Sequence, residues 1–422
     1  MDSSSIGKVA LFWDESFLWG LIAYDTFTQL SINFGLITSA DIQEGILEKY
    51  DTLFVPGGWA SNKAKALGER GKESIRRFVE LGGSYLGFCG GAGLALEHKD
   101  GISLVPVTRK PTSDRIPSFS GKIKLNQDEP NHPIWSGIPN KAAFHAWWPG
   151  QFSILEHGNV KVLASYDVPG DGSYVADLPV GPTMNWDQWE KSYGTNLNPE
   201  RIKGEPAVLE TDYGKGKVLL SYLHFETPDD NQGQKVLLNI FEYLADKKVQ
   251  LGQNTASKDE WVTVSNGSGI DKILVETIND LEAAASDLIS FGQHNFLWYW
   301  RNPWIIQWRR GVRGTEYCTV YSMLKRLALL APQFSDDSDL IKKTADLKEF
   351  SLPFFEKARQ LLTLERFAMN RGPISPLKSN DENIRRMREE LFSNSKSFGG
   401  YFKQIIDRID AILLPMLKKL LP

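Results

Sequence analysis

The sequence predicts an α/β domain followed by a helical domain. Its 422 residues allow two or three domains that each bury a core. Apolar residues make up 41% of the chain and charged residues 24%, as in an ordinary folded protein. From residue 7 to about 247, short strand-like runs alternate with amphipathic stretches. This alternation is typical of helices packed around a largely parallel sheet.

The first part of the chain contains distinct runs of strand and helix character. The predicted strands cover residues 8–13, 34–38, 52–55, 84–88, 160–165, 207–211 and 217–222. The predicted helices cover residues 18–33, 71–81, 91–97 and 232–246. A Gly-Lys-Gly turn at 214–216 separates the last two strands, so we expect them to form an antiparallel hairpin.

The pattern changes after the polar stretch 251–258, which has the composition of a linker. Apolar side chains then recur at helical spacing along residues 271–300. Asn302 and Pro303 suit the N-cap and first position of another helix, on which Trp300, Trp304 and Trp308 would stand at four-residue steps. Further helical patterns cover residues 316–330, 353–369, 381–392 and 397–421. We therefore predict an all-α domain over residues 259–422.

Charge and composition exclude several classes of protein. The net charge of −4 and the pI near 6.0 lack the basic footprint of a nucleic-acid binder, so no nucleic acid is expected as a partner. Two cysteines make no disulfide framework and favour the reducing cytoplasm. The N-terminal residues lack the basic and apolar regions of a secretory signal, and no run of about 18 apolar residues predicts a membrane span.

Cys89 stands where a predicted strand turns sharply into a predicted helix. Its neighbours Gly87 and Gly91 are small, as the strained turn of a nucleophile elbow requires. The helix that follows points its N-terminus at the sulfur, where the backbone dipole favours a thiolate. Cys89 is therefore the candidate nucleophile.

A base and oxyanion donors are available on neighbouring segments. His224 and Glu226 follow the last predicted strand and, at i and i+2 on an extended segment, project to the same side. The carboxylate can then hold the imidazole while the imidazole faces the thiol. The loop at 55–58 closes another strand, and the backbone N–H groups of Gly58 and Gly90 are candidate donors to an oxyanion.

Three motifs in this order resemble the class I glutamine amidotransferase-like superfamily: Val-Pro-Gly-Gly at 55–58, Gly-Phe-Cys-Gly-Gly-Ala at 87–92 and His-Phe-Glu at 224–226. Within it, the chain most resembles the N-terminal domain of eukaryotic biotin–protein ligases and its stand-alone bacterial relatives. The lead-in at 76–83 and the Trp-Trp-Pro-Gly-Gln-Phe run at 147–152 resemble that subgroup too.

The resemblance covers about residues 7–247 and implies both a fold and a site. It implies a flavodoxin-like, mostly parallel sheet with helices on both faces, here assigned to a domain over residues 1–250. It also implies that Cys89 is the nucleophile, His224 the base and Glu226 its partner. Gly58 and Gly90 would form the oxyanion hole.

The chain departs from the superfamily's glutaminases at two positions. They carry a Gln four residues after the cysteine, where this sequence has Gly93, and their His-Pro-Glu is His-Phe-Glu here. These departures count against glutamine as the substrate. The sequence also lacks a Gly-rich ATP loop and the Gly-Arg-Gly-Arg type of ligase motif, so the chain is not predicted to be a biotin ligase.

Two functions remain open. The first is a cysteine-dependent hydrolase or amidotransferase-like enzyme that acts on a small amide, ester or related carbonyl compound without a cofactor. The second is a non-catalytic ligand-sensing or scaffolding protein whose Trp/Arg-rich helical domain docks a protein partner or a membrane surface.

Other noted residues also have two interpretations. His145, Trp147 and Trp148 form either an aromatic wall near the site or part of the core. The insertion 177–204 is either a lid or specificity loop over the site or a disordered insertion without a role. Cys318 is interpreted as an inert core residue. The remaining histidines lack metal-ligand spacing, so no metal is expected.

Overall fold

The computed structural model describes residues 7–156, 159–245, 271–334, 337–372, 374–375, 378–394 and 396–421. The chain divides into two compact units, and the boundary between them in the sequence follows Asn254. The predicted linker at 251–258 lies outside the described residues, as does His157. The predicted boundaries of the two domains therefore stay predictions.

The first unit contains the following elements within its described residues. Its strands are β1 (Val9–Phe12), β2 (Phe34–Ile37), β3 (Thr52–Val55), β4 (Ser84–Phe88), β5 (Val107–Arg109), β6 (Phe119–Gln127), β7 (Ala143–Trp147), β8 (Phe152–Ile154), β9 (Lys161–Pro169), β10 (Tyr174–Val175), β11 (Leu178–Pro179), β12 (Pro206–Tyr213) and β13 (Gly216–Ser221). Its α-helices are α1 (Phe17–Gln29), α2 (Ser39–Gln43), α3 (Ala60–Glu80), α4 (Gly90–Ala95), α5 (Trp186–Tyr193) and α6 (Asn231–Ala245).

Five parallel strands form the half of the sheet that carries the site. Their order is β2-β1-β3-β4-β13, and each neighbouring pair is parallel. This is the order of a flavodoxin-like sheet, in which ligands bind beyond the carboxyl ends of the strands. The predicted parallel α/β fold is thereby confirmed. The predicted hairpin is confirmed too, since β12 pairs antiparallel with β13.

The other half of the sheet is antiparallel. Beyond β13 the order runs β12-β9-β6-β10-β11, with β7 paired to the side of β6, and β5 and β8 form a separate pair. Most of these strands were not predicted. The register shifts between Ile123 and Leu125, and Gly121 in the same strand has a φ of 137°, so the simple alternation of apolar and polar residues is interrupted there.

Helices cover both faces of the parallel half. On one face, the Phe54 ring of β3 lies 5.0 Å from the ring of Phe27 in α1 and 6.4 Å from that of Phe241 in α6. On the other face, Val55 lies directly against Gly91 of α4, so closely that a Cβ on Gly91 would stand 3.0 Å from the Val55 Cβ. Successive strand residues point to opposite faces, so β3 is buried between the two layers.

The second unit is helical apart from one hairpin within its described residues. Its elements are α7 (Asp271–His294), β14 (Trp298–Asn302), β15 (Ile305–Trp308), α8 (Gly314–Leu330), α9 (Ser338–Met369), α10 (Glu382–Phe392) and α11 (Gly400–Leu420). Its core contains the Phe354, Phe392 and Phe402 rings and a buried ion pair of 2.7 Å between Arg388 and Glu365. No helix in the described part of either unit has both the length and the apolar character of a membrane span.

The helix predicted to begin at Asn302 is wrong, because β14 and β15 form an antiparallel hairpin there. The Asn302 side chain accepts the N–H groups of Trp304 at 2.9 Å and Ile305 at 2.8 Å. An Asn-Pro pair can cap a helix or open a β-turn by this same hydrogen bonding, and here it opens the turn. The Trp298 ring packs into the unit, where its Nε1 donates to the Ile289 carbonyl at 2.9 Å.

Candidate active site

Cys89 occupies a strained backbone position between β4 and α4. Its φ is 49° and its ψ is −103°, a conformation that costs a non-glycine residue roughly 1–3 kcal/mol. Two hydrogen bonds hold it there: its N–H donates to the Ser221 carbonyl of β13 at 2.8 Å, and its carbonyl accepts the Gly93 N–H at 2.9 Å. The predicted sharp turn from strand to helix is therefore present, and Cys89 lies at the carboxyl end of the parallel strands.

The glycines beside Cys89 allow two loops to touch. A Cβ on Gly90 would lie 1.9 Å from the Gly58 carbonyl oxygen, and one on Gly91 would lie 1.9 Å from that of Val55. Gly58 itself has a φ of 108°. Its N–H group has no hydrogen-bond partner among the described residues, and Gly90 is the first residue of α4, where N–H groups lack partners within the helix. The two predicted oxyanion donors are thus brought together and remain available.

His224 and Glu226 form a buried pair after β13. The His224 Nδ1 donates to the Glu226 Oε1 at 2.7 Å, and the two side chains are 1% and 0% exposed. The backbone is fixed as well: the His224 N–H donates to the His145 carbonyl at 2.9 Å, and the Thr26 hydroxyl donates to the Glu226 carbonyl at 2.8 Å. This arrangement leaves Nε2 of the imidazole for another partner.

Charge links the imidazole to the thiol. Burial lowers the pKa of His224, but the Glu226 carboxylate and the Cys89 side chain outweigh it and raise the pKa to about 10. Nε2 is buried and makes no hydrogen bond of ordinary geometry within the described residues. Cys89 acts on the imidazole through hydrogen bonding as well as through charge, so the two side chains lie close together although their hydrogen-bond geometry is not ideal, as is common before a substrate binds.

Trp19 holds the imidazole in place from one side. Its ring stacks on the His224 ring at 4.3 Å between centroids and 28° between planes. Gly57 makes room for it, since a Cβ there would lie 2.7 Å from the Trp19 Cγ. Trp148, which has a φ of 53°, contacts Trp19 edge-on at 6.5 Å. Through these ring contacts, Trp148 in the loop after β7 packs on Trp19, and Trp19 packs on His224.

The two interpretations of the His145 segment each apply to one tryptophan: one ring lies in the core and the other lies near the site. Trp147 is 2% exposed and belongs to the core, whereas Trp148 is half-buried and lies near the site through Trp19. The His145 ring stacks on Trp147 at 5.0 Å, and its Nε2 lies 3.7 Å from the Asp230 carboxylate.

Lys63 is a buried lysine beside the site that was not predicted from the sequence. Its Nζ donates to the Ser16 hydroxyl at 2.5 Å and to the Asp14 carbonyl at 3.2 Å. Burial lowers the pKa of Lys63 to about 7, although Glu15, Asp14 and Cys89 each act to raise it. Its position in the first turn of α3 was a signal, because the helix dipole disfavours a cation there.

The other candidates lie away from this site. Cys318 is buried in α8, where burial raises the pKa of its thiol to about 12, in agreement with an inert core residue. His132 pairs with Glu210 at 3.3 Å. Within the described residues, no three His, Cys, Asp or Glu side chains are grouped as metal ligands would be.

The insertion 177–204 is folded. It contains α5 and a short 3-10 helix at Pro199–Ile202, and its Asn196 side chain donates to the carbonyls of Ser113 at 2.6 Å and Arg115 at 3.1 Å. Disorder is therefore the wrong interpretation for this segment, which instead supports the loop before β6.

Residues 37–99 match the biotin-protein ligase N-terminal family. The matched segment runs from the end of β2 through the Gly57-Gly58 loop to Cys89 and α4, so the predicted resemblance is confirmed over that segment. No curated protein matches the chain.

Several solved structures are similar to part of this chain at low identity. The PurLQS structure from Thermotoga maritima is 15% identical with a TM-score of 0.39, over 57% of this chain and 99% of that chain. A cytoplasmic protein from Salmonella typhimurium LT2 is 14% identical with a TM-score of 0.36, over 57% and 100%. A β-galactosidase from Bacillus circulans sp. alkalophilus is 15% identical with a TM-score of 0.35, over 59% and 32%.

Gly91→Ala is predicted to lower the free energy of unfolding by about 1–3 kcal/mol, since its Cβ collides with the Val55 backbone. Gly93→Ala in the same helix is the control, because its Cβ would meet only the Ala60 Cβ at 3.4 Å. The control should be neutral or stabilising by up to about 1 kcal/mol. Urea unfolding of both variants tests this, and equal effects would contradict the close approach.

Lys63→Met is predicted to remove a pH dependence of stability. The lysine has a pKa of about 7 in the folded protein and of 10.5 as its ordinary value, so the unfolded chain binds more protons between these pH values and stability rises with pH there. Wild type should therefore gain about 2–4 kcal/mol over the variant from pH 7 to pH 10. Urea unfolding across this range measures the difference, with exposed Lys65→Met as the control; parallel curves for wild type and Lys63→Met would refute the shift.

Proposed function

We propose that the first unit is a cysteine-dependent hydrolase or amidotransferase-like enzyme for a small amide, ester or related carbonyl compound. The observation that carries this proposal is the buried 2.7 Å hydrogen bond from His224 to Glu226, with the imidazole in electrostatic contact with Cys89. A strained cysteine, an imidazole and a carboxylate in this relation are the parts of a nucleophilic triad.

The reaction follows from these positions. The Cys89 thiolate attacks the substrate carbonyl carbon, so that a C–S bond forms and the carbonyl electrons move to the oxygen. The N–H groups of Gly58 and Gly90 stabilise this oxyanion. His224 then gives its Nε2 proton to the leaving amine or alcohol as the carbonyl re-forms. Water, or an amine acceptor, then attacks the carbonyl carbon of the acyl-cysteine and gives a proton to His224. The C–S bond breaks as the carbonyl re-forms, which releases the acyl product and the Cys89 thiolate.

The electrostatics of the site support this sequence of steps. With its raised pKa, His224 is a cation at neutral pH and stabilises a thiolate on Cys89 while holding the proton that the leaving group needs. Glu226 fixes the tautomer and balances the imidazolium charge. Stacking on Trp19 prevents the ring from turning away. The reactive thiol also requires a reducing compartment, so the proposal includes a cytoplasmic location.

The second candidate is a non-catalytic ligand-sensing or scaffolding protein. The observation that favours it is Phe296, which is 79% exposed beside the hairpin of the second unit and offers an apolar contact to a protein partner or a membrane surface. On this interpretation the Cys89 site would bind a ligand without turnover.

Alkylation of Cys89 by iodoacetamide distinguishes the two candidates. At pH 7 we expect Cys89 to react at least about tenfold faster than an unperturbed thiol, and His224→Gln to remove most of that advantage. Cys318, buried and with a thiol pKa of about 12, is the internal control and should stay unmodified. Peptide mass spectrometry measures both sites in the same sample.

Turnover is measured alongside with a panel of chromogenic esters and amides. Cys89→Ala should abolish hydrolysis, His224→Gln should reduce it by about 10³-fold or more, and Cys318→Ala should leave it unchanged. Ordinary reactivity at Cys89, unaffected by His224→Gln, would contradict the enzyme proposal and favour the ligand-sensing protein.

A further inference from the structure

Three polar side chains near Cys89 have buried polar atoms without partners among the described residues. The hydroxyls of Tyr166 and Tyr222 are buried, with the residues 0% and 2% exposed, and neither makes a hydrogen bond within the described residues. The same holds for Nε and Nη1 of Arg115, whose Nη2 donates to the Thr112 hydroxyl at 3.3 Å. An unpaired buried polar group costs about 1–3 kcal/mol, so a bound molecule that accepts hydrogen bonds from these atoms would be stabilised there. We name these three residues the Arg115 cluster.

The Arg115 cluster lies beside the nucleophile. Tyr222 follows β13 directly, and the last residue of that strand, Ser221, accepts the Cys89 N–H at 2.8 Å. Cys89 and Tyr222 are thus on adjacent parallel strands, which are about 4.8 Å apart. Across the sheet, the Tyr222 N–H donates to the Ala207 carbonyl and the Tyr166 N–H donates to the Glu205 carbonyl, so both tyrosines lie beside the start of β12.

Charge in the Arg115 cluster favours an anion. Burial and the nearby Arg109 lower the pKa of Arg115 to about 10, so the guanidinium stays charged at neutral pH. Burial raises the pKa of Tyr222 to about 12 and holds that of Tyr166 well above its ordinary value, with a contribution from Cys89 to both, so both hydroxyls keep their protons. The nearby carboxylate of Glu205 is already paired with Lys110 at 2.6 Å.

The Trp-Trp-Pro-Gly-Gln-Phe run builds the frame of the cluster. Gly150 makes room for Tyr222, since a Cβ there would lie 2.2 Å from the Tyr222 Cζ, and the Phe152 ring packs on the Tyr222 ring at 4.2 Å. The Gln151 Oε1 accepts the Ile116 N–H at 2.8 Å, which fixes the chain next to Arg115. With Asn196 bound to the Arg115 carbonyl from the other side, the donors are held before any ligand arrives.

We infer that Arg115, Tyr166 and Tyr222 bind a carboxylate of the substrate, so that Cys89 acts on a small amide or ester that also bears a carboxylate group. Two guanidinium N–H groups and two hydroxyls supply four donors, which match the four lone-pair positions of a carboxylate. The catalytic part of this inference rests on the proposed function, whereas the binding part does not.

Isothermal titration calorimetry on the full-length Cys89→Ala protein tests the binding part. The probes are succinate and glutarate as carboxylates, succinamide as a neutral analogue, and inorganic phosphate as a different oxyanion. We expect both dicarboxylates to bind at least about tenfold more tightly than succinamide and more tightly than phosphate. Equal binding of succinamide, or stronger binding of phosphate, would overturn the inference.

Variants of the cluster separate this site from general charge effects. Arg115→Gln should weaken glutarate binding at least about tenfold, and Tyr166→Phe and Tyr222→Phe each about threefold to tenfold. Arg115→Lys keeps the charge but loses the paired N–H geometry, so it should also weaken binding. This variant is the second test in case Arg115→Gln does not fold. Arg70→Gln, at an exposed residue, and Tyr213→Phe, at a half-buried residue at the far end of β12, are the controls and should bind as the parent does. Unchanged binding in Arg115→Gln and Arg115→Lys would refute the assignment.

The outcomes remain distinct from those of the proposed function. Carboxylate binding with no hydrolysis of any ester or amide in the native protein would contradict the enzyme alone. Hydrolysis of neutral esters with no carboxylate binding would contradict the Arg115 cluster alone.

Discussion

The hydrogen bond between His224 and Glu226 is the interaction on which the rest of the site depends. Both side chains are buried, so the carboxylate cannot be screened by water and its charge acts fully on the imidazole. The result is a histidine that keeps its proton far above the ordinary range and presents that charge to Cys89. Without the carboxylate, burial alone would leave a neutral ring, and the thiol would lose its electrostatic partner.

The sheet brings these groups together because parallel strands end at the same edge. β3 delivers the Gly57-Gly58 loop, β4 delivers Cys89 and β13 delivers His224 and Glu226. The contact of the Gly58 and Gly90 backbones then joins two of these strand ends without any side chain between them. The strained backbone of Cys89 is stabilised by its hydrogen bonds to Ser221 of β13 and to Gly93 of α4. The stability of the parallel sheet therefore supports the conformation of the nucleophile.

The sequence could predict the features that depend on residues close together in the chain, but not those that depend on residues far apart in it. Cys89, its glycines and the His224-Phe225-Glu226 segment are local patterns whose geometry follows from a turn or from strand alternation. Arg115, Tyr166 and Tyr222 come from separate elements and converge only in the fold, and each one alone resembles an ordinary surface or core residue. Lys63 is unusual as a cation in the first turn of α3, but its burial beside Cys89 also arises only in the fold. The hairpin at β14 and β15 shows the limit of local signals, since Asn302 makes the same kind of hydrogen bond in a β-turn as at a helix N-terminus.

Titration of the His224 ring by NMR tests the central claim most directly. With histidine labelled by ¹⁵N, the account predicts that the His224 resonances titrate far above the ordinary pKa of about 6.5. The pKa should fall in Glu226→Gln and, independently, in Cys89→Ala, because the carboxylate and the thiol side chain both raise it. A ring that titrates near its ordinary pKa and does not respond to Cys89→Ala would contradict the electrostatic link between the imidazole and the sulfur.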